Sequence, residues 1–396
     1  MNRQAIAAWI VYDIAVHGYG LMIPAVGFAI YFTSFVAAGH PWADALWSLA
    51  VAIPLIAAGL LSPWLGAIAD RSAQRRRLLL ATTLLCVIAS ALMGSLGQGD
   101  IGAGMVLFIL AQLGFLLAGA LYNSYLPQIS TPENSARISG MAWGLSYLGG
   151  IACFLLCLPF IRSGIVAGNE SYFAKAFLVT AGFVLVLGVG AILKFPPEKA
   201  VDRKTFKANP YLRLKTTLRS WQSNREIPRF LLAYYLINDA MVTVIYFTAI
   251  FMKATFGLSM QEILILSLLF QIIAIPSTIF FGWLGDRWNP RATVYLTLTI
   301  WVLVLALMGF AEGEHAPSAI AITLGLVLGS TQSLLRSMYS RMIPPDQAGE
   351  YFGFHALVGR ASSALGPLLF GLVSTLAASQ RRNAATSAAR RERHSV

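Results

Sequence analysis

The sequence predicts an all-α membrane protein with many spans, and three observations carry that prediction. Of its 396 residues 57% are hydrophobic and only 12% are Asp, Glu, Lys or Arg, about half the roughly 25% charge of soluble domains. Apolar stretches long enough to cross a bilayer recur along the whole chain, at about 20 residues per span. The charges collect in the short loops between those stretches. A soluble protein of this length could bury a large core, but this composition could not cover the remaining surface. A soluble enzyme, a disordered chain and a nucleic-acid binder are therefore excluded, despite a net charge of +12.

The apolar segments fall near 7–36, 45–69, 78–97, 101–127, 137–161, 172–194, 229–256, 262–285, 292–311, 317–343 and 351–378, which makes eleven spans. Met1–Arg3 runs straight into the first of them without a small-residue cleavage site, so this reads as a first span rather than a removable signal. The connections are short except 195–228, a linker with Pro196, Pro197, Pro210 and a dense Lys/Arg run. It divides the chain into an N-terminal half, 1–194, and a C-terminal half, 229–379, followed by a polar tail, 380–396. Part of the linker, 208–221, is amphipathic and reads either as a helix on the anionic inner leaflet or as a solvated connection.

Basic residues set the orientation. With the N-terminus in the cytoplasm, that side holds 19 of the 29 Lys and Arg residues, including Arg71, Arg75–Arg77, Arg137, Arg287, Arg291 and Arg341. The opposite loops hold Arg162, Lys175 and Lys253 against Asp44, Asp100, Glu170, Glu262, Glu312 and Glu314. The expected location is a multi-pass integral membrane protein, in the plasma (inner) membrane if the source is bacterial. Cys86, Cys153 and Cys157 all lie in apolar segments and imply neither a disulfide framework nor a metal site. No phosphate-binding loop, zinc pattern, nucleophile elbow or haem motif appears, so no cofactor and no enzyme activity is expected, and transport would draw on a gradient.

The two halves repeat one another. At a separation of 217 residues Tyr122 matches Tyr339, Pro127 matches Pro344, Glu133 matches Glu350 and Gly149 matches Gly366. At 216, Gly66, Asp70, Arg71 and Arg75 match Gly282, Asp286, Arg287 and Arg291; at 226, Arg3 and Asp13 match Arg229 and Asp239. Two six-helix halves joined by a basic loop are the parallel-repeat plan of major facilitator transporters. The duplicated Gly-xxx-Asp-Arg motif resembles the loop between the second and third spans of that superfamily. Gly66 and Gly282 permit close helix approach. Asp70 and Asp286 end a helix beside the next helix's N-terminus, where a carboxylate is favoured, and Arg71, Arg75, Arg287 and Arg291 can pair with it or with lipid phosphates. Three residues after the Asp the superfamily has Gly, where this chain has Ala73 and Asn289. Ala tolerates a left-handed backbone poorly, so the first-half turn is expected to depart.

A narrower resemblance follows. Trp9-xx-Tyr12-Asp13, Tyr122-Asn123-xxx-Leu126-Pro127, Asn238-Asp239, Ser333-Leu334-xx-Ser337-xxx-Arg341-xx-Pro344 and Phe352-Gly353-xxx-Ala356-Leu357-xx-Arg360 are similar to the vacuole-effluxer-like group, named for a fungal autophagy-related amino-acid effluxer. The resemblance covers spans one to eleven and implies transport of a small solute, with amino acids the suggested class. His17, one turn beyond Asp13, departs from the small polar stretch expected there.

Ionisable groups inside spans are costly and default to functional candidates. Asp13 and Asp239 each lie ten residues inside a cytoplasmic Arg, about 15 Å deep at 1.5 Å per residue. They are candidates for binding a substrate amine or a proton; the competing reading is a structural ion pair with Arg360. His17 shares a helix face with Asp13 and could share its proton, or simply pack. Arg360, nine residues into span eleven, reads as a carboxylate binder or the neutraliser of Asp239. Arg336, five residues from the inner end of span ten, reads as able to snorkel; His355 reads as structural. Tyr12, Tyr122, Asn123, Asn238, Gln271 and Gln332 could offer neutral hydrogen bonds to a solute. Gly140-xxx-Gly144 and Gly325-xxx-Gly329 read as packing motifs.

These readings add up to a monomeric secondary transporter of a small solute, working by alternating access with protons as the candidate coupling ion. The competing class is a facilitator-fold protein that does not transport, such as a sensor, a lipid-flipping protein or a truncated remnant; a sugar or drug facilitator is the alternative within the class. Adding 217 to Tyr172 puts the partner of span six from about 389, where eight residues remain. A twelfth span is therefore expected to be missing, with truncation or a shifted frame after Gln380 as the explanation.

Overall fold

The structure is a computed structural model, and it describes residues 3–166, 168–196, 215–219, 221 and 225–363. Most of the 195–228 linker, the end of the eleventh segment and the tail lie outside the described residues. Ten helices are long and apolar enough to cross a membrane. The N-terminal six are α1 (Arg3–Val36), α2 (Ala43–Ser72), α3 (Arg75–Ser95), α4 (Ile101–Ile129), α5 (Ser135–Ile161) and α6 (Glu170–Ile192). After the linker come α7 (Glu226–Phe256), α8 (Met260–Arg287), α9 (Pro290–Phe310) and α10 (Ala316–Met342). An eleventh helix, α11, is described over 348–363.

The helices form because, in hydrocarbon, each backbone N–H and C=O must be satisfied within its own segment. Where prolines interrupt that ladder the helix adapts instead of ending. Pro24 sits in a π-helical stretch, Leu21–Gly27, of α1, and α2 carries both Pro54 and Pro63. Two helix starts carry side-chain caps. Ser259 and Glu262 form a reciprocal capping box on α8, and the Asn289 side chain accepts from the backbone of Arg291 and Ala292 at the start of α9.

Asn289 caps in an extended conformation (φ −161°), whereas Ala73 takes the left-handed one (φ 51°, ψ 36°). This reverses the expectation for the two turns. The first-half turn keeps its left-handed residue even though that residue is Ala, and it is the second-half turn that departs.

The buried cores separate along the sequence. Three clusters draw on residues between Ala5 and Phe195, and three on residues between Ile227 and Phe354 joined by Ala136. Most helices turn much of their surface outward to lipid, with 24–44% of the spanning window buried, but α10 is 67% buried. It therefore runs through the centre of the molecule. Its Ser330, Ser333 and Ser340 hydroxyls bond back to carbonyls three or four residues earlier on the same helix. Small, internally satisfied side chains of this kind let neighbouring helices approach closely.

Candidate functional site

Between the two halves lies a cavity of about 270 Å³. Its N-terminal wall is Phe115, Leu116, Gly119, Ala120 and Asn123 of α4 with Trp143 of α5. The opposite wall is Tyr234 and Asn238 of α7, Gln332 and Arg336 of α10, and His355, Ala356, Gly359, Arg360 and Ser363 of α11. Five of the residues expected from sequence meet here: Asn123, Asn238, Gln332, Arg336 and Arg360. Two of them are arginines, and no Asp or Glu belongs to this lining.

Arg336 overturns its sequence expectation. It does not snorkel; it is 3% exposed and reaches from α10 into the N-terminal half. Nε donates to Ser139 Oγ (2.9 Å), Nη2 to the Ser139 carbonyl (3.0 Å), and Nη1 to Asn123 Oδ1 (3.2 Å) and Asp13 Oδ2 (3.4 Å). Its guanidinium also lies over the rings of Trp9 (4.7 Å) and Trp143 (5.1 Å). A planar, weakly hydrated cation suits such an aromatic cage, and an ammonium would not reproduce its fork of donors.

The cage is itself rigid. Trp9 stacks on Tyr122 at 4.6 Å and donates Nε1 to the Tyr122 carbonyl; Tyr12 stacks on Tyr122 at 5.1 Å and shares a 2.8 Å hydrogen bond with Thr83. Tyr12 is thus buried behind the cage and takes no part in the cavity wall. The Trp9-xx-Tyr12-Asp13 and Tyr122-Asn123 motifs, distant in sequence, make one receptacle for Arg336.

Arg360 makes the second crossing. Nη1 donates to the Ala58 carbonyl (2.8 Å) and Ser62 Oγ (2.7 Å) of α2, and Nη2 to the Leu116 carbonyl (2.6 Å) of α4. Asp239 is not among its partners, so the expected Arg360–Asp239 pair does not form. Of five guanidinium N–H groups, Nε–H and one Nη2–H are left without a protein acceptor among the described residues. Asn238 instead carries the α7 contribution: its Nδ2 donates to the Gly359 carbonyl and Ser362 Oγ, and its Oδ1 accepts from Gln332.

Asp13, His17 and Asp239 lie outside the cavity lining. Asp13 reaches it only through Arg336. His17 shares no hydrogen bond with Asp13; its Nδ1 meets Ser146 Oγ at 3.3 Å and its ring stands edge-on to Tyr147. Trp143, Ser139 and Tyr234 escaped the sequence reading, and His355, read as structural, lines the cavity. The available signal was the flank of Gly140-xxx-Gly144, which points Ser139 and Trp143 at the same neighbour.

On the side of the molecule that carries Arg3, the repeated Gly-xxx-Asp motifs join the halves. Asp70, at the end of α2, accepts from Gly349 N (2.9 Å) and Glu350 N (2.8 Å) at the start of α11 and pairs with Arg75. Asp286, at the end of α8, accepts from Ala136 N (3.0 Å) and Arg137 N (2.7 Å) at the start of α5 and pairs with Arg341 at 2.5 Å. Each carboxylate therefore sits at a helix N-terminus in the opposite half, not at the next helix as the sequence suggested. There it meets exposed N–H donors and the positive end of the dipole.

The basic partners also differ from expectation. Arg71 and Arg75 are 9% and 3% exposed, buried in protein rather than reaching lipid phosphates. Arg75 also donates to the Ser124 carbonyl. Arg341 takes the place expected for Arg291, and Arg287 lies over the Trp283 ring. Gly282 packs so closely that a Cβ would stand 2.7 Å from the Ala136 carbonyl oxygen and 3.0 Å from Gly140 Cα; a Cβ on Gly66 would collide with the Gly349 carbonyl. A Ser135–Ser337 hydroxyl contact at 2.8 Å completes the seal.

Residues 43–385 match the family described as vacuole effluxer Atg22 like. The chain belongs to that family. An uncharacterized MFS-type transporter, YxiO, of Bacillus subtilis (strain 168) is 23% identical over 93% of this chain and 88% of its own length. Autophagy-related protein 22-1 of Aspergillus niger is 21% identical over 61% of this chain; the alignment spans 43% of that protein, less than half its length. Among solved structures, the human organic anion transporter MFSD10 superposes with a TM-score of 0.70 at 15% identity, covering 93% of this chain and 92% of that one. The proton:xylose symporter XylE gives 0.69 at 14% identity, covering 95% and 90%. The fold is that of the major facilitator superfamily, and the chain is a multi-pass membrane transporter rather than an enzyme.

Proposed function

We propose that this effluxer-family protein moves a small carboxylate-bearing solute, with amino acids the first class to test, by alternating access. The observation that carries the reading is the central cavity. It is walled by Arg336, Arg360 and amide side chains, holds no acidic residue in its lining, and lies at the interface of two halves sealed on one side. Arg360 supports it most directly, since its spare Nε–H and Nη2–H suit a carboxylate. In this reading the substrate sits on the arginines, and Asp13 is a coupling group that acts through Arg336 rather than a ligand for the solute amine.

The cycle follows from that geometry. Protonation of Asp13 would remove the charge from one of the four acceptors that hold Arg336 in the N-terminal half, easing the separation of the halves on the Arg3 side. That side is the cytoplasm in the orientation set by the basic residues. The protein would work as a monomer in the plasma membrane of a bacterial source and draw on the proton gradient.

Purified protein in proteoliposomes tests the reading. Labelled neutral amino acids should exchange against internal unlabelled pools, and an imposed pH gradient should drive net uptake. Asp13→Asn should keep exchange and lose the response to the gradient. Failure to exchange any amino acid would remove that solute class; equal gradient responses in parent and variant would remove Asp13 as the coupling group.

A further inference from the structure

The cavity wall contains a polar side chain that neither the latches nor the arginine network employs, His355. It is 8% exposed, it lines the cavity, and its Nε2 is buried with no hydrogen-bond partner among the described residues. Its ring is fixed on three sides: stacked on Tyr234 at 4.0 Å, with Tyr339 at 5.0 Å and Phe352 at 5.9 Å. A buried ring nitrogen without a partner is a standing cost, and a cluster of aromatic rings does not relieve it.

The other polar groups of the wall are largely committed. Asn123 Oδ1 accepts from Arg336, and Asn238 Oδ1 from Gln332. Gln332 keeps a side-chain oxygen, but it is not desolvated without a partner as His355 Nε2 is. The requirement that a bound solute would relieve is therefore His355's. Five residues along α11, Arg360 lines the same cavity, and its Nε–H and one Nη2–H have no acceptor among the described residues. A solute whose carboxylate bound Arg360 would share that cavity with the imidazole.

We infer that His355 is a specificity-determining contact, which accepts a hydrogen bond from an amino or hydroxyl group beside the solute carboxylate. The inference rests on the reading of the cavity as a carboxylate site. It adds the residue that would tell an acid carrying an α-donor from a simple carboxylate. The imidazole accepts as the Nδ1–H tautomer, with its ring held against Tyr234, Tyr339 and Phe352.

Counterflow in proteoliposomes with leucine, leucic acid and isocaproate separates the roles, since the three differ only in the α-substituent. His355→Phe keeps the ring stack on Tyr234 and removes the nitrogens; His355→Gln keeps a hydrogen-bonding side chain. In His355→Phe the half-saturation concentrations for the acids that carry the donor should rise about tenfold, and that for isocaproate should stay within about twofold. His355→Gln should restore most of the loss. The difference between leucine and leucic acid tells which donor the site takes. Equal shifts for all three solutes, or no shift, would overturn the role of His355, because a structural defect does not distinguish the α-substituent. Should His355→Phe not fold, His355→Leu carries the same comparison. A parent protein that exchanges none of the three would overturn the carboxylate reading itself, and this inference with it.

Discussion

Asp70→Asn should loosen the seal between the halves while leaving the residue's size unchanged. The carboxylate accepts two backbone N–H groups at the start of α11, at 2.9 and 2.8 Å, and pairs with Arg75. Hydrogen bonds to a charged group contribute about 1.5–3 kcal/mol each, and an amide retains part of that. The dipole term at a helix N-terminus adds about 0.3–1 kcal/mol. We therefore expect a loss of about 2–3 kcal/mol from the sealed state, all of it realised on opening, when either side chain is hydrated. At 1.36 kcal/mol per factor of ten, the opened population rises about 30- to 150-fold.

The assay is cross-linking of Ser135→Cys with Ser337→Cys, whose hydroxyls stand 2.8 Å apart across the interface, in a protein lacking Cys86, Cys153 and Cys157. This pair belongs to the Asp286 latch, so any change there reports separation of whole halves rather than a local disturbance at Asp70. Cross-linking should slow in Asp70→Asn and recover if solute-free protein is trapped sealed. An unchanged rate would refute the argument that this carboxylate holds the halves together.

Three further outcomes follow from the same contacts. Ala73→Gly should stabilise the protein by about 0.5–1 kcal/mol, because a left-handed Ala costs about 1–2 kcal/mol and the added chain entropy of Gly returns part of that; a lower melting temperature would refute the strain. Gly282→Ala should lose about 1–3 kcal/mol by overpacking, since the new Cβ meets the Ala136 carbonyl and Gly140 backbone, and the Ser135/Ser337 cross-link should report it as slower closure. Arg336→Lys should reduce solute exchange by at least about 100-fold, from the loss of about 3 kcal/mol of charged hydrogen bonds to Ser139 and Asn123; exchange at the parent rate would place the fork of donors outside the transport cycle.

The membrane class, the all-helical architecture and the facilitator plan were legible because they rest on local quantities, whereas the sequence counts eleven spans and ten helices among the described residues are long and apolar enough to cross. Length, hydropathy and a repeated motif survive in one dimension, and a hydrocarbon solvent leaves helices as the means of satisfying the backbone. The candidate residues Asn123, Asn238, Gln332 and Arg360 were legible for a related reason, since a polar group in a span must find a partner or a cavity. Their partners were not. Spacing along a helix gives the face a residue occupies, but not which helix of the other half meets that face.

Three cases show the limit. Asp70 and Asp286 were correctly singled out, yet only the packing of α2 on α11 and of α8 on α5 decided that each caps a helix of the opposite half. Arg336 sat near enough to a span end to suggest an exposed charge. The central position of α10 turned it inward instead, where Trp9, Trp143 and Ser139 had already built a receptacle. His355 carried no motif at all, and it became a candidate contact only when the cavity formed around it. The sequence by itself determined that this chain crosses the membrane as a series of apolar helices and which side chains would be too polar for lipid. The tertiary structure alone decided which of them bind each other and which line the cavity, because that depends on contacts between helices far apart in sequence, where no helical period reaches.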